Sequence, residues 1–306
     1  MNILHIDIET YSSVDIQKSG LYKYVQSGDF EILLFAYAYD DNPVRIIDCA
    51  QGEKIPAEVI RDLNNLEVTK MAYNAAFEYY SLSKFYETGL AQWRCAMVHA
   101  LYCGFPASLA AAGDALGLKQ DRKKMGAGKA LIRYFCIPCA ATKANGGRTR
   151  NHPRHSMEKW ELFKSYCRQD VVTEREIYRI LSAYPVPDTE WHNWILDQLI
   201  NMDGTSVDME LVDGALAVSE KSREALSEKA RNLTGLDNPN SVAQLKDWIR
   251  QNSGLEVESL NKATVAEILA DIPEEDRTAR VLKIRSELGK TSVKKYAAMK
   301  TCVCTD

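Results

Sequence analysis

The sequence predicts an α/β domain built on a mixed sheet flanked by helices, followed by an all-helical region. Three observations predict it. Apolar and polar residues alternate with period two at the N-terminus; strand-like and helix-like segments then alternate as far as about residue 185; after Pro187 only helical periodicity remains. At 306 residues, 46% hydrophobic and 26% charged, the chain can bury one large core or two modest ones.

Leu4, Ile6 and Ile8 alternate with His5, Asp7 and Glu9, so Asn2–Ile8 is expected to be a strand. Its isoleucines pack the core while Asp7 and Glu9 project together from the other face. Ile32–Tyr39, Arg45–Asp48 and Val68–Ala72 are the remaining strand candidates. Helices are expected at Ala57–Asn64, Phe77–Glu87, Ala96–Cys103, Ser108–Leu116 and Glu158–Leu181. Asn74 follows an apolar strand and can cap the helix that carries Glu78 in its first turn. Tyr166 and Asp170, four apart in a helical pattern, share a face. Tyr184-Pro185-Val186-Pro187 breaks the alternation and sets expected domains at 1–185 and 186–306. Beyond it, helices are expected from Trp191 to Asp203-Gly204, from Leu211 to Leu233, from an N-cap at Ser241 to Ile249, and, with a basic face, from Thr278 to Met299.

Three carboxylate motifs lie on these elements in a fixed order: Asp7-Ile8-Glu9, Asn74-Ala75-Ala76-Phe77-Glu78 and Tyr166-Cys167-Arg168-Gln169-Asp170. Four converging carboxylates repel one another and hold protons unless cations neutralise them. Hard divalent ions, Mg²⁺ or Mn²⁺, prefer carboxylate and water oxygens. Two of them about 3.5–4 Å apart suit in-line displacement at a phosphodiester, which points to a nuclease or phosphoryl-transfer enzyme. Each fragment alone is a weak signal; the ordered triple on a strand, a strand-to-helix junction and a late helix is far stronger.

On these motifs the chain resembles the proofreading 3′–5′ exonuclease domain of phage-type family A (DNA polymerase I-like) DNA polymerases. Those domains belong to the Asp-Glu-Asp-Asp exonuclease superfamily, in the branch whose last motif carries Tyr. Ile6-Asp7-Ile8-Glu9-Thr10 resembles the first motif, Asn74 to Glu78 the second, and Tyr166 to Asp170, continuing into Val171-Val172-Thr173-Glu174, the third. The second motif usually ends in Asp, whereas this chain has Glu78, one methylene longer. The resemblance implies a ribonuclease H-like sheet and a thumb-like helical region, the latter matched at Leu236 to Leu245 and at the Leu288-Gly289-Lys290-Thr291-Ser292 turn. It further implies that Asp7 bridges two metals, that Glu9 and Asp170 hold the one that activates water, and that Glu78 helps position the second. Tyr166 would orient water, and Thr10 and Tyr11 could touch the 3′ nucleotide; Asn74 is either a cap or a substrate contact. In the family the palm and fingers follow the thumb; the chain ends at Asp306, so no polymerisation is expected and a separate palm-and-fingers chain is a possible partner.

Net charge is −4, yet Lys119, Arg122, Lys123, Lys124, Lys129, Arg133, Lys143, Arg148, Arg150 and Arg154 are opposed in their segment by Asp121 alone. Interleaved Gly126, Gly128, Gly146 and Gly147 make the block read as mobile loop, either a solvated surface or a track for a phosphate backbone. Arg148, Arg150 and Arg154 are the expected contacts to single-stranded DNA. The eight cysteines are irregularly spread, and Cys136-Ile137-Pro138-Cys139 has no second pair to complete a zinc ribbon. No apolar run reaches the ~18 residues of a membrane span and Met1 leads directly into a strand, so a cytoplasmic protein is expected.

The function expected is two-metal hydrolysis of single-stranded DNA from its 3′ end. The alternatives are a catalytically inactive exonuclease fold used for binding, and a ribonuclease D-like RNA-trimming enzyme.

Overall fold

The computed structural model describes residues 2–119 and 128–304. Five strands, β1 (Asn2–Tyr11), β2 (Glu31–Tyr39), β3 (Arg45–Ile47), β4 (Val68–Ala72) and β5 (Trp93–Cys95), form one sheet in the order β3-β2-β1-β4-β5. β1 runs antiparallel to β2 and parallel to β4, β4 is parallel to β5, and β2 is antiparallel to β3. This mixed sheet, with helices on both faces, is the ribonuclease H-like arrangement. The acid-bearing strand is at its centre.

The helices of the first unit are α1 (Ile16–Gln26), α2 (Ala57–Leu63), α3 (Ala76–Ser83), α4 (Ala96–Tyr102), α5 (Leu109–Ala115), α6 (Gly128–Phe135), α7 (Met157–Leu181) and α8 (Asp188–Asp203). One core joins Leu4, Ile6 and Ile8 of β1 to Phe35, Val59, Leu63, Leu82 and Trp93. A second joins Leu34, Ala36 and Ala38 of β2 to Leu131 and Phe135 of α6 and to Trp160, Phe163 and Val171 of α7. Since directly paired residues share a face, the register places Asp7 opposite Ala36, His5 opposite Ala38 and Glu9 opposite Leu34. The acids therefore face α7, and the two small alanines beside them leave room for its side chains. A register shift between Glu9 and Thr10 ends regular pairing just past the second acid.

Several elements depart from expectation. β5 has only three residues, too few for a pattern, and is held by its parallel partner. α1 carries no strong amphipathic signal and kinks at Gly20, whose φ of 80° is left-handed. Lys129 and Arg133, expected in mobile loop, lie on helix α6. Gly146 and Gly147 serve a hydrogen-bonded turn, with Gly147 N donating to the Thr142 carbonyl at 2.9 Å and left-handed φ at both. Asp121, Arg122, Lys123, Lys124 and Gly126 lie outside the described residues.

The chain divides into two compact units, the second being Ser206–Val303. The Tyr184–Pro187 break falls between α7 and α8, within the first unit. Val186 and Trp191 are buried in its core, and the Tyr80 hydroxyl donates to the Gln198 carbonyl at 3.0 Å. The second unit comprises α9 (Met209–Thr234), α10 (Val242–Ser253), α11 (Lys262–Asp271), α12 (Arg277–Leu288) and α13 (Lys294–Cys302) around Leu245, Trp248, Ile249, Val281 and Leu282. Ser241 caps α10 as expected, its side chain accepting from Gln244 N. The single basic helix expected from Thr278 to Met299 is two, α12 ending at Leu288 with Gly289 as its C-cap and α13 beginning at Lys294. Among the described residues no helix is long and apolar enough to cross a membrane.

Candidate active site

Each motif acid comes from a different kind of support. Asp7 and Glu9 are presented by the central strand. Glu78 sits in the first turn of α3, directly after β4 and a tight turn at Asn74, whose φ is 71°. Asn74 is exposed, and α3 has no side-chain cap; its contribution to the helix start is its backbone carbonyl, which accepts from Phe77 N at 2.9 Å. Asn favours this left-handed turn because its short amide tolerates αL.

Asp170 and Tyr166 come from α7, which is fixed at both ends of the site. Trp160 Nε1 donates to Asp48 Oδ2 at 2.7 Å, and His5 Nδ1 is bonded to Glu174 Oε2 at 2.7 Å in a buried pair. Tyr166 is buried, stacked with Phe163 at 6.1 Å between ring centroids, and hydrogen-bonded to Asp170 one turn on. Burial first, then the charges of Asp170, Glu9 and Asp7, push its hydroxyl far above the usual phenol range. The phenol thus stays protonated. It can orient a water but cannot deprotonate one. Gly128, at the start of α6, is packed flat on this ring: a Cβ there would lie 2.1 Å from Tyr166 Cε2.

Glu78 shows how the cluster is held. Its carboxyl is buried, Oε2 has no hydrogen-bond partner among the described residues, and its pKa is held well above the carboxylate range. Desolvation is the main cause, followed by the charge of Asp7, with Glu174 and Asp170 adding to it. Acids from β1, α3 and α7 are therefore close enough to oppose one another's ionisation. A buried, unpartnered carboxylate oxygen among other acids is the environment a cation satisfies.

Two features had no warning in the motifs. Cys167, fully buried, places its thiol 3.8 Å from the Asp7 carbonyl oxygen, and ligand atoms of Asp7, Glu9 and Cys167 all lie within 4.8 Å of one another. The Cys136 thiol stands 3.9 Å from Glu9 Oε2. Burial, then the Asp7 and Glu9 charges, holds Cys167 as a thiol; burial and then Glu9 do the same for Cys136. The second is the His5–Glu174 pair, which brings a fifth acid beside Glu78. Only the alternation that set His5 on the face of Asp7, and the helical spacing of Glu174 from Asp170, could have pointed to it.

The remaining substrate candidates are tied into the protein to different degrees. The Thr10 hydroxyl is bonded to the Tyr24 hydroxyl at 2.7 Å in the core. The Arg150 guanidinium lies 3.6 Å from the Tyr11 ring centroid and donates to Glu31 Oε2 at 2.6 Å. Tyr11 and Glu31 are themselves paired across β1 and β2, so Arg150 clamps the end of that ladder. Arg148 donates to Asn151 Oδ1 and to the Asn145 carbonyl, both at 2.8 Å, holding its own loop. Arg154 is exposed.

Over its whole length, 308 aligned positions, the chain is 49% identical to the DNA polymerase of Bacillus phage SP02. The chain is a relative of a phage DNA polymerase. It spans 47% of that relative's length. No family model matches. A solved structure, the apo form of a nuclease, aligns over 67% of this chain and 88% of its own; at 13% identity and a TM-score of 0.37 the likeness carries no argument.

Proposed function

We propose that the first unit is a metal-dependent 3′–5′ exonuclease acting on single-stranded DNA ends. The observation that carries this reading is the convergence of Asp7, Glu9, Glu78 and Asp170 from three elements into one cluster, whose burial and mutual repulsion push the Glu78 carboxyl well above the usual carboxylate range. Kinship with a phage DNA polymerase makes DNA the substrate of choice. Asp7, Glu9, Glu78 and Asp170 would hold two Mg²⁺ or Mn²⁺ ions. Such ions supply a metal-activated water and stabilise the leaving oxygen. The protein's own part is to position the ions, to orient water through the protonated Tyr166, and to hold α7 against β1 through His5–Glu174. Ligands retained at all four positions favour catalysis over an inactive binding fold. The reading is tested with 5′-labelled single-stranded DNA and RNA of one sequence in Mn²⁺ or Mg²⁺: a descending ladder on DNA is expected, and none with chelator. An RNA-only ladder would assign the ribonuclease alternative, and no ladder the inactive one.

Glu78 supports a more specific expectation. Its folded-state pKa is raised, so in chelator this carboxyl's contribution to stability is fully present below the usual carboxylate pKa of about 4.3 and is lost as pH rises toward the raised value. Glu78→Gln, or added Mn²⁺, removes that decline. The longer Glu arm in place of Asp also makes Mn²⁺ the better activator, since Mg²⁺ demands near-ideal octahedral geometry. Thermal midpoints against pH check the first part; the same pH profile in the parent and in Glu78→Gln in chelator would refute it.

The basic segment divides by the same geometry. Arg154→Ala is expected to weaken single-stranded DNA binding and to reduce the salt slope by about 0.7, with stability within ~0.5 kcal/mol of the parent. Arg150→Ala, which removes the clamp on Tyr11 and Glu31, costs about 1–2 kcal/mol of stability. Salt-dependent binding and chemical denaturation measure the two. An unchanged slope in Arg154→Ala returns this segment to plain surface.

A further inference from the structure

A thiol stands among the oxygens of this site, and the proposed reaction makes no use of it. Cys167 follows Tyr166 on α7, is fully buried, and shares with Asp7 and Glu9 a set of ligand atoms within 4.8 Å of one another. Independently, the buried Oε2 of Glu78 has no partner among the described residues, and Asp7 is the strongest charge acting on that carboxyl. Magnesium and manganese select oxygen and leave a thiol uncoordinated, whereas thiolate sulfur selects zinc and cadmium. With metal–sulfur bonds of about 2.3 Å and metal–oxygen bonds of about 2.0–2.2 Å, ligand atoms on one tetrahedral ion sit roughly 3.5 Å apart. The present spacing, within 4.8 Å, is close to that value, and binding would draw the three side chains together.

We propose that Asp7, Glu9 and Cys167 form a mixed carboxylate–thiolate site for a soft divalent cation, Zn²⁺ or Cd²⁺, which displaces the hard ions. The inference rests on the metal-centre reading above and deepens it by assigning the site a second class of ion with the opposite effect. On binding, the Cys167 thiol gives its proton to the buffer and its sulfur bonds to the metal; nothing is oxidised or reduced. Because sulfur adds a ligand that the hard ions do not use, the soft ion holds Asp7 and Glu9 and blocks the exchange on which cleavage depends.

The test is a Cd²⁺ titration read by ultraviolet thiolate-to-cadmium charge transfer. It uses the chain carrying Cys302→Ser and Cys304→Ser, so that the closely spaced C-terminal thiols do not contribute. One equivalent of Cd²⁺ is expected to produce the band. The band should be lost in Cys167→Ser and in Asp7→Asn, and kept in Cys136→Ser and Cys139→Ser. Cd²⁺ should also suppress Mn²⁺-dependent cleavage in the parent, and less so in Cys167→Ser relative to that variant's own rate. A band that survives Cys167→Ser, or that disappears only with Cys136→Ser, overturns the assignment. Should Cys167→Ser fail to fold, retention of the band in Asp7→Asn overturns it instead. A thermal shift with Mn²⁺ is run alongside. If that shift is present and the band absent, this inference alone falls; if the shift is absent too, the metal-centre reading falls with it.

Discussion

Asp7→Ala is expected to lower metal-dependent cleavage about a thousandfold or more, and to do so without unfolding the protein. Asp7 is the charge most strongly coupled to Glu78, and its ligand atom lies within 4.8 Å of those of Glu9 and Cys167, so it is the residue shared by every part of the cluster. In the proposed two-metal site its removal would take away ~4 kcal/mol or more of charge stabilisation, which is about three decades in rate. Stability should move the other way. Deleting one of several mutually repelling acids relieves the repulsion on the rest, so the shape-conserving Asp7→Asn should melt no lower than the parent in chelator. It should also lose most of the parent's Mn²⁺-dependent thermal shift, since binding to the folded state alone is what produces that shift. Cleavage at the parental rate by Asp7→Ala would remove the active-site assignment.

Gly128→Ala tests a part of the site that holds no charge at all. The new methyl would stand 2.1, 2.5 and 2.9 Å from three atoms of the Tyr166 ring, well inside van der Waals contact. The ring cannot step aside, because it is buried and stacked on Phe163, itself fully buried. Overpacking of this kind costs about 1–3 kcal/mol and shifts the neighbours that caused it. The Tyr166 hydroxyl would then leave Asp170, and both stability and cleavage fall. Gly113→Ala is the matched control. There the nearest atom is Leu118 Cδ1 at 3.2 Å, the far end of a flexible side chain, and alanine is the better helix former, so stability should stay within about 1 kcal/mol. The packing argument fails if Gly128→Ala matches its parent in thermal midpoint and rate.

How far the chain could be read in advance depended on whether a residue's role was local. The alternation in Leu4–Glu9 and the i, i+4 spacing of Tyr166 and Asp170 are properties of single elements, and the structure places those side chains as the periodicity requires. The same is true of the α10 cap at Ser241. What escaped is tertiary. Gly128 lies in a glycine-rich, basic stretch that invites a loop reading, yet it begins a helix because its bare Cα is what fits against Tyr166. Arg150 carries a charge that suits phosphate, but its neighbours Tyr11 and Glu31 come from strands more than a hundred residues upstream. Cys167 carries no periodic signal that separates a core thiol from one beside two carboxylates. Gly289 was legible as a turn, and the helical pattern on either side concealed that the turn divides two helices.

The central position of β1 has a consequence for synthesis. β1 ends at Tyr11 and its cover, α7, begins at Met157, so the ribosome adds well over a hundred residues between them. At roughly 5–20 residues per second this interval lasts on the order of 10–30 s. Throughout it the α7 face of the strand stands uncovered, and in the earlier part, until β4 at Val68–Ala72 is made, one edge of the strand is unpaired and open to a neighbouring nascent chain. Like charges at Asp7 and Glu9 oppose such stray in-register pairing, because two copies of the strand would set acid against acid. Before any cation arrives, the same two carboxylates are gatekeepers of the newborn chain.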